Sequence, residues 1–131
     1  SDLTYFILPA IEPGLYGSKK IKLHMPTLSY QTTGQLAIQV ALYMGFQKIN
    51  LLGFDHTWLA SPNFLTHFYS KEKDTTDHLG EMSYYSIICF MKRMWSIYQV
   101  LDNTSYTHKT QIINLTPNSF LDVFKLDSFG G

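Results

Sequence analysis

Apolar side chains along this chain change their period several times, and each change marks an element. After Thr32-Thr33-Gly34-Gln35, the residues Leu36, Ala37, Ile38, Val40, Ala41, Leu42, Tyr43 and Met44 cover most of a helix's circumference, while Gln35 and Gln39 share one side. Thr32 as N-cap, with Gln35 three residues on, has the spacing of a capping box, in which two otherwise unpaired backbone donors are satisfied reciprocally. Gly45 fits the position just past a helix end. The pattern predicts a helix from Thr33 to Met44, covered on more than one face. Lys48 to Leu52 follows as a buried strand and runs into Gly53-Phe54-Asp55-His56. In an open α/β sheet, ligands bind beyond the carboxyl ends of strands, which places candidate chemistry near Asp55.

The rest of the chain is punctuated in the same way. Tyr5 to Leu8 is a short apolar strand candidate stopped by Pro9, Ile11 to Lys20 reads as loop around Pro13-Gly14, and Ile21 to Met25 alternates as a weak strand before Pro26. Tyr84, Ile87, Ile88, Met91, Met94, Trp95, Tyr98 and Leu101 recur at three- and four-residue spacing and predict a second long helix, from about Gly80 or Glu81 to Leu101, ended by Asp102-Asn103. Such a stripe is ordinarily core. Gln111 to Leu115 is a further strand, and Thr116-Pro117-Asn118-Ser119 reads as a turn into a short amphipathic helix from Phe120 to Leu126. The order is that of a Rossmann-like α/β fold, a mostly parallel sheet with flanking helices joined by right-handed crossovers. Residues 56–80 lack periodicity yet carry Trp58, Phe64, His67, Phe68, Tyr69 and His78. A connection so long and aromatic predicts a lid, ordered by ligand or by a neighbouring subunit.

Composition narrows the function classes. At 131 residues and 45% apolar content, residues 1–131 are expected to form one domain. Ten basic residues balance ten acidic ones without any run of like charge, so no electrostatic footprint for nucleic acid is present. The single Cys89 sits in an amphipathic pattern and reads as an ordinary helix thiol, which favours a reducing compartment or at least does not require an oxidising one. No apolar stretch reaches the roughly 18 residues of a membrane span. The expected location is cytoplasmic, with membrane association through a partner or a missing segment as the alternative. Both ends look cut, and the chain reads as the C-terminal part of a larger protein, in which case half of any ligand site would lie upstream.

Several residues are candidates for chemistry. Thr32, Thr33 and Gly34 stand where free backbone N–H groups and the positive end of a helix dipole suit a phosphate or carboxylate, and the missing side chain of Gly34 allows close approach; the alternative is an ordinary capping box. Asp55 could bond a ribose or acceptor hydroxyl, or cap the next turn. His24 and His108 read as isolated surface residues. His78 precedes Glu81 by three residues, so the carboxylate could fix the imidazole's tautomer and raise its basicity, as a general base requires. The plainer reading has His78 flanking the helix and Glu81 complementing its dipole. Tyr69, Tyr84 and Tyr85 could donate hydroxyls to phosphate oxygens. His56, His67, His78, Asp55 and Asp77 lack a compact metal-ligand spacing, and no Gly-x-Ser-x-Gly elbow is present.

The run from Tyr30 to Asp55, with Thr32-Thr33-Gly34 opening a small-residue helix and Leu52-Gly53-Phe54-Asp55 closing a strand, resembles the C-terminal half of bacterial sialyltransferases that build surface lipooligosaccharides. It also resembles the related domain of motility-associated glycosylation factors and of an archaeal-type hydroxymethylpterin diphosphokinase. Gly53-Phe54-Asp55-His56-Thr57, His78-Leu79-Gly80-Glu81 and Leu115-Thr116-Pro117-Asn118-Ser119-Phe120-Leu121 match further segments, so the resemblance covers roughly Tyr30 to Phe124. It implies a metal-independent, inverting transfer of a sugar from a cytidine-monophosphate donor to a glycan acceptor, without a cofactor. His78 would be the base, paired with Glu81, and His67 the competing base. Thr32, Thr33, Gly34, Asp55, Thr57 and Tyr69 would lie against nucleotide and substrate. Thr57 stands where the family has a phosphate-binding Tyr, and the family's Gly-rich nucleotide half would lie upstream. The alternatives are a metal-dependent phosphotransferase using carboxylates such as Asp55, and a catalytically silent scaffold or homo-oligomerisation module.

Overall fold

A computed structural model describes residues 10–60 and 84–128. The expected strand Tyr5 to Leu8, most of the expected lid, and His67, Tyr69, His78 and Glu81 lie outside the described residues. The elements in chain order are β1 (Ala10–Ile11), α1 (Pro13–Tyr16), β2 (Thr27–Leu28), α2 (Thr33–Met44), β3 (Lys48–Leu51), a 3-10 turn (Thr57–Ala60), α3 (Tyr84–Thr107), β4 (Gln111–Asn114) and β5 (Lys125–Leu126). This is a mixed α/β fold with short parallel strands and flanking helices, as expected. β1 pairs with β2 in parallel, and a separate three-stranded parallel sheet runs in the order β3-β4-β5.

The α2 helix forms as its sequence dictates. Gln35 N–H donates to Thr32 Oγ1 at 3.2 Å, while Gln35 Oε1 accepts from the N–H groups of Gln31 and Thr32 at 2.8 and 3.3 Å, completing the capping box. Gly45 ends the helix at φ 80°, a left-handed conformation that costs glycine nothing. The buried stripe holds Gln35, Ile38, Gln39 and Leu42, so two amides lie in the core. Each is anchored: Gln35 Nε2 donates to the Met94 carbonyl of α3 at 3.0 Å, and Gln39 Nε2 to the Leu28 carbonyl of β2 at 3.0 Å. The two glutamines thus tie α2 to β2 before it and to α3 far beyond it in the chain, amid a core of Leu28, Ile38, Leu42, Leu51, Ile97, Tyr98, Leu101, Ile112, Leu121 and Phe124.

Four local expectations are corrected. Ile11 to Lys20 is not all loop: Pro13 at the first helical position pre-sets its φ, and a helical turn follows that buries Tyr16. Ile21 to Met25 is not a strand, because Met25 N–H turns back onto the Lys22 carbonyl at 3.0 Å and the strand forms after Pro26, at Thr27–Leu28. The long helix does not stop at Asp102-Asn103; Thr104 and Ser105 are buried on it and Ser105 Oγ bonds the Asp102 carbonyl, so it continues to Thr107 before Lys109 turns at φ 56°. Phe120 to Leu126 is not a helix. Leu121 and Phe124 bury their side chains at helical spacing, but the segment crosses back and pairs as β5 against β4.

His108 is also no isolated surface residue. Its Nε2 accepts the Ile21 N–H at 2.9 Å, and burial first, then nearby Lys20, hold the imidazole pKa below its ordinary range, so the acceptor lone pair stays available. His24 is exposed, as expected, and Cys89 lies exposed on α3. No helix among the described residues is long and apolar enough to cross a membrane.

Removing the Gln35 amide strands buried donors at the α2 entrance together with an α3 carbonyl contact. Gln35→Ala is expected to lower stability by about 2 kcal/mol, the usual scale for a buried polar group left unpaired, read from urea unfolding. Gln99→Ala, at an exposed position on α3, is expected to stay within about 0.5 kcal/mol of the parent.

Candidate functional site

The carboxyl ends of β3 and β4 are joined by side chains rather than by strand pairing alone. Asn114, the last residue of β4, is fully buried, and its Nδ2 donates to Ser119 Oγ at 2.9 Å and to the Leu121 carbonyl at 3.2 Å. Its Oδ1 accepts from Thr116 N–H at 3.0 Å. Ser119 Oγ in turn donates to the Phe54 carbonyl, Thr116 Oγ1 accepts from Phe54 N–H at 3.0 Å, and Phe120 N–H donates to the Asp55 carbonyl at 2.8 Å. The turn after β4 therefore clamps the Phe54-Asp55 backbone from both sides. Gly53, at φ 77°, and His56, at φ 51°, supply the sharp reversals that bring this segment around.

The α2 entrance lies directly beside this segment. A Cβ on Gly34 would fall 2.6 and 2.8 Å from two atoms of the Phe54 ring, so the space left by the missing side chain is filled by that ring. The missing side chain of Gly34 thus seats the Phe54 ring against the α2 entrance. The cap takes the Gln35 N–H, and Thr33 and Gly34 are the other residues of that first turn. Thr33 is exposed. A second link runs through Tyr98 of α3, which is fully buried: its hydroxyl lies 3.0 Å from His56 Nε2. Burial pushes the Tyr98 phenol pKa up, so it stays protonated and can serve as donor. Trp95 meets the His56 ring edge-on at 5.5 Å, and Tyr98 meets it at 5.4 Å.

Asp55 takes the capping alternative. Its carboxylate accepts the Thr57 hydroxyl at 2.7 Å, and that bond is the chief cause holding its pKa below the usual range. Thr57 is committed to that same cap. The structure thus brings Thr32, Thr33, Gly34, Asp55 and Thr57 into one neighbourhood and adds His56, Tyr98, Trp95, Asn114 and Ser119. Of these, Asn114 and Ser119 had a sequence signal in their placement at a strand end and in a Thr-Pro-Asn-Ser turn. Tyr98 read as stripe residue, and its hydroxyl partner is distant in sequence.

Among the described residues, two hollows lie alongside α3. One, of about 520 Å³, is lined by Gln47, Asp102, Lys109, Gln111 and Lys125 among others, at the amino ends of β3 and β4. The other, of about 650 Å³, is lined by Trp95, Gln99, Asp102, Asn103, Asp122 and Val123. Neither takes in Gly34 or Asp55, and no group of three or more His, Cys, Asp or Glu side chains suited to a metal occurs among the described residues. Comparison with protein-family models, curated proteins and solved structures finds no match to this chain.

Two outcomes are expected. Gly34→Ala forces the Phe54 ring aside and should cost about 1–2 kcal/mol, while in a Phe54→Ala background the same change should cost less than half as much, measured by a double-mutant cycle. For Asp55, a lowered folded-state pKa means a contribution that is complete above the unfolded carboxylate range, near about pH 4, and is lost as pH falls through the lower folded value. Asp55→Asn should flatten the dependence of the urea midpoint on pH below about pH 4.

Proposed function

We propose that this chain is a glycosyltransferase-type α/β domain, of the sialyltransferase kind, that transfers a sugar from a cytidine-monophosphate donor to an acceptor hydroxyl of a surface glycan. The observation that carries the reading is the adjacency of the α2 entrance and the β3 exit at the carboxyl ends of two parallel strands, where ligands of open α/β sheets bind. The amides of Thr33 and Gly34 suit the phosphate that leaves with the nucleotide, because a helix N-terminus stabilises developing negative charge without reorganising. In this reading the acceptor oxygen attacks the anomeric carbon as a base takes its proton, and the glycosidic electron pair departs with cytidine monophosphate. The resemblance assigns the base to His78, oriented by Glu81, with His67 competing and Tyr69 against the phosphate. Its pattern needs no metal.

The phosphotransferase reading asks Asp55 to hold a divalent cation. That carboxylate is engaged by the Thr57 hydroxyl, and no second carboxylate or imidazole joins it in a metal-suited group among the described residues, so the transferase is favoured.

Calorimetry should register cytidine monophosphate binding that persists in excess chelator; no heat at millimolar ligand with the full-length protein removes the transferase, and magnesium-dependent ATP binding would replace it with the phosphotransferase. His78→Ala should lower the transfer rate by about 10²–10⁴-fold, and a variant keeping more than about a tenth of the rate contradicts the role.

A further inference from the structure

The hollow bordered by Trp95 and Asp122 has a lining suited to a particular ligand chemistry. Trp95 supplies an indole, Gln99 and Asn103 supply amides, and Asp102 and Asp122 supply carboxylates, with Val123 completing the wall. Gln99, Asn103 and Asp122 are exposed and Trp95 is half-buried, so their polar groups are open to a ligand from solvent. Trp95 is held in place: its Nε1 donates to Asp122 Oδ1 at 3.4 Å, and its ring meets His56 at one edge and Tyr98 at 6.5 Å. The same indole therefore borders the hollow and touches the side chain that follows Asp55.

A pyranose has one face of C–H groups and a rim of hydroxyls. The C–H face, slightly positive, lies well on the negative face of an indole, and the hydroxyls bond amides and carboxylates as both donor and acceptor. A volume of about 650 Å³ accommodates one or two sugar rings. The lining has two carboxylates and no Lys, Arg or His, so an anionic sugar would meet like charge without a partner. We propose that this hollow is a saccharide subsite that takes an uncharged sugar on Trp95, with Asn103, Gln99 and Asp122 bonding its hydroxyls. The inference rests on the transferase reading only in naming that sugar the acceptor; its position next to His56 places it beside the proposed donor site.

The test is an ¹⁵N-correlation NMR titration of the whole chain with lactose, with glucuronate and, separately, with cytidine monophosphate. Lactose should shift the Trp95 indole and the amides from Gln99 to Asn103 with a millimolar dissociation constant, and glucuronate should bind about five-fold more weakly or worse. Trp95→Ala should weaken lactose by about ten-fold and Asn103→Ala by about three-fold. Because Trp95 also packs against Tyr98, the exposed Asn103 and Gln99 variants carry the test if Trp95→Ala unfolds. No lactose shifts, shifts confined to other surfaces, or equal binding of glucuronate overturn the subsite. Lactose bound at Trp95 by a protein blind to cytidine monophosphate keeps the subsite and removes the transferase, whereas the converse removes the subsite alone.

Discussion

One buried amide, that of Asn114, decides how the chain leaves its central strand. It spends both its donor and acceptor capacity on the turn that follows, and through Ser119 it fixes the Phe54 carbonyl in the segment beyond the neighbouring strand. A buried amide that is fully bonded rigidifies its surroundings, because each partner left alone in a low-dielectric interior would be costly. The Phe54-Asp55-His56 segment is therefore held from β4 as well as from its own strand. Everything beyond β3 inherits that position: the Phe54 ring against Gly34, the Asp55 cap, and His56 between Trp95 and Tyr98.

The helices meet this frame through polar contacts set within an apolar core. Gln35 and Gln39 bond α3 and β2, while Arg93 of α3 bridges to Glu12 with two nitrogens and also bonds Ser29. The Arg93–Glu12 pair is exposed and adds little energy, but its bidentate geometry fixes orientation. Buried amides act differently. A helix that must place two of them on particular carbonyls has one way to dock, whereas a purely leucine-lined face could rotate or slide.

Much of this was legible where the determinants are local. The Thr32 and Gln35 capping box and Gly45 mark both ends of α2, and the apolar runs place β3 and β4 within a residue of their observed limits. Where partners are distant, local pattern misled. β2 and β5 are two residues long and exist only through pairing with β1 and β4, so the alternation at Ile21 to Met25 and the helical spacing of Leu121 and Phe124 pointed elsewhere. Asp102-Asn103 resembled a helix stop, yet Thr104 and Ser105 pack inward and carry the helix on. At the candidate site, Asp55 was visible as a strand-end carboxylate, but the choice between ligand and cap depended on the conformation of His56 and Thr57. The Tyr98 hydroxyl had no sequence signal, since His56 reaches it across the fold.

The parallel pairing of β3 with β4 joins residues far apart in the chain, with Phe54 and Thr116 bonded across 62 positions. Closing a loop of that length costs on the order of 4 kcal/mol of chain entropy before any strand contact repays it. The capped α2 helix needs no such closure for its own hydrogen bonds, while the Asn114 clamp assembles only when the two strands meet. Folding should thus be slow and late-committing, with a transition state that already contains the long-range pair. During synthesis, β3 would emerge well before its partner and wait with an uncovered edge, a period in which association between nascent copies competes with correct pairing.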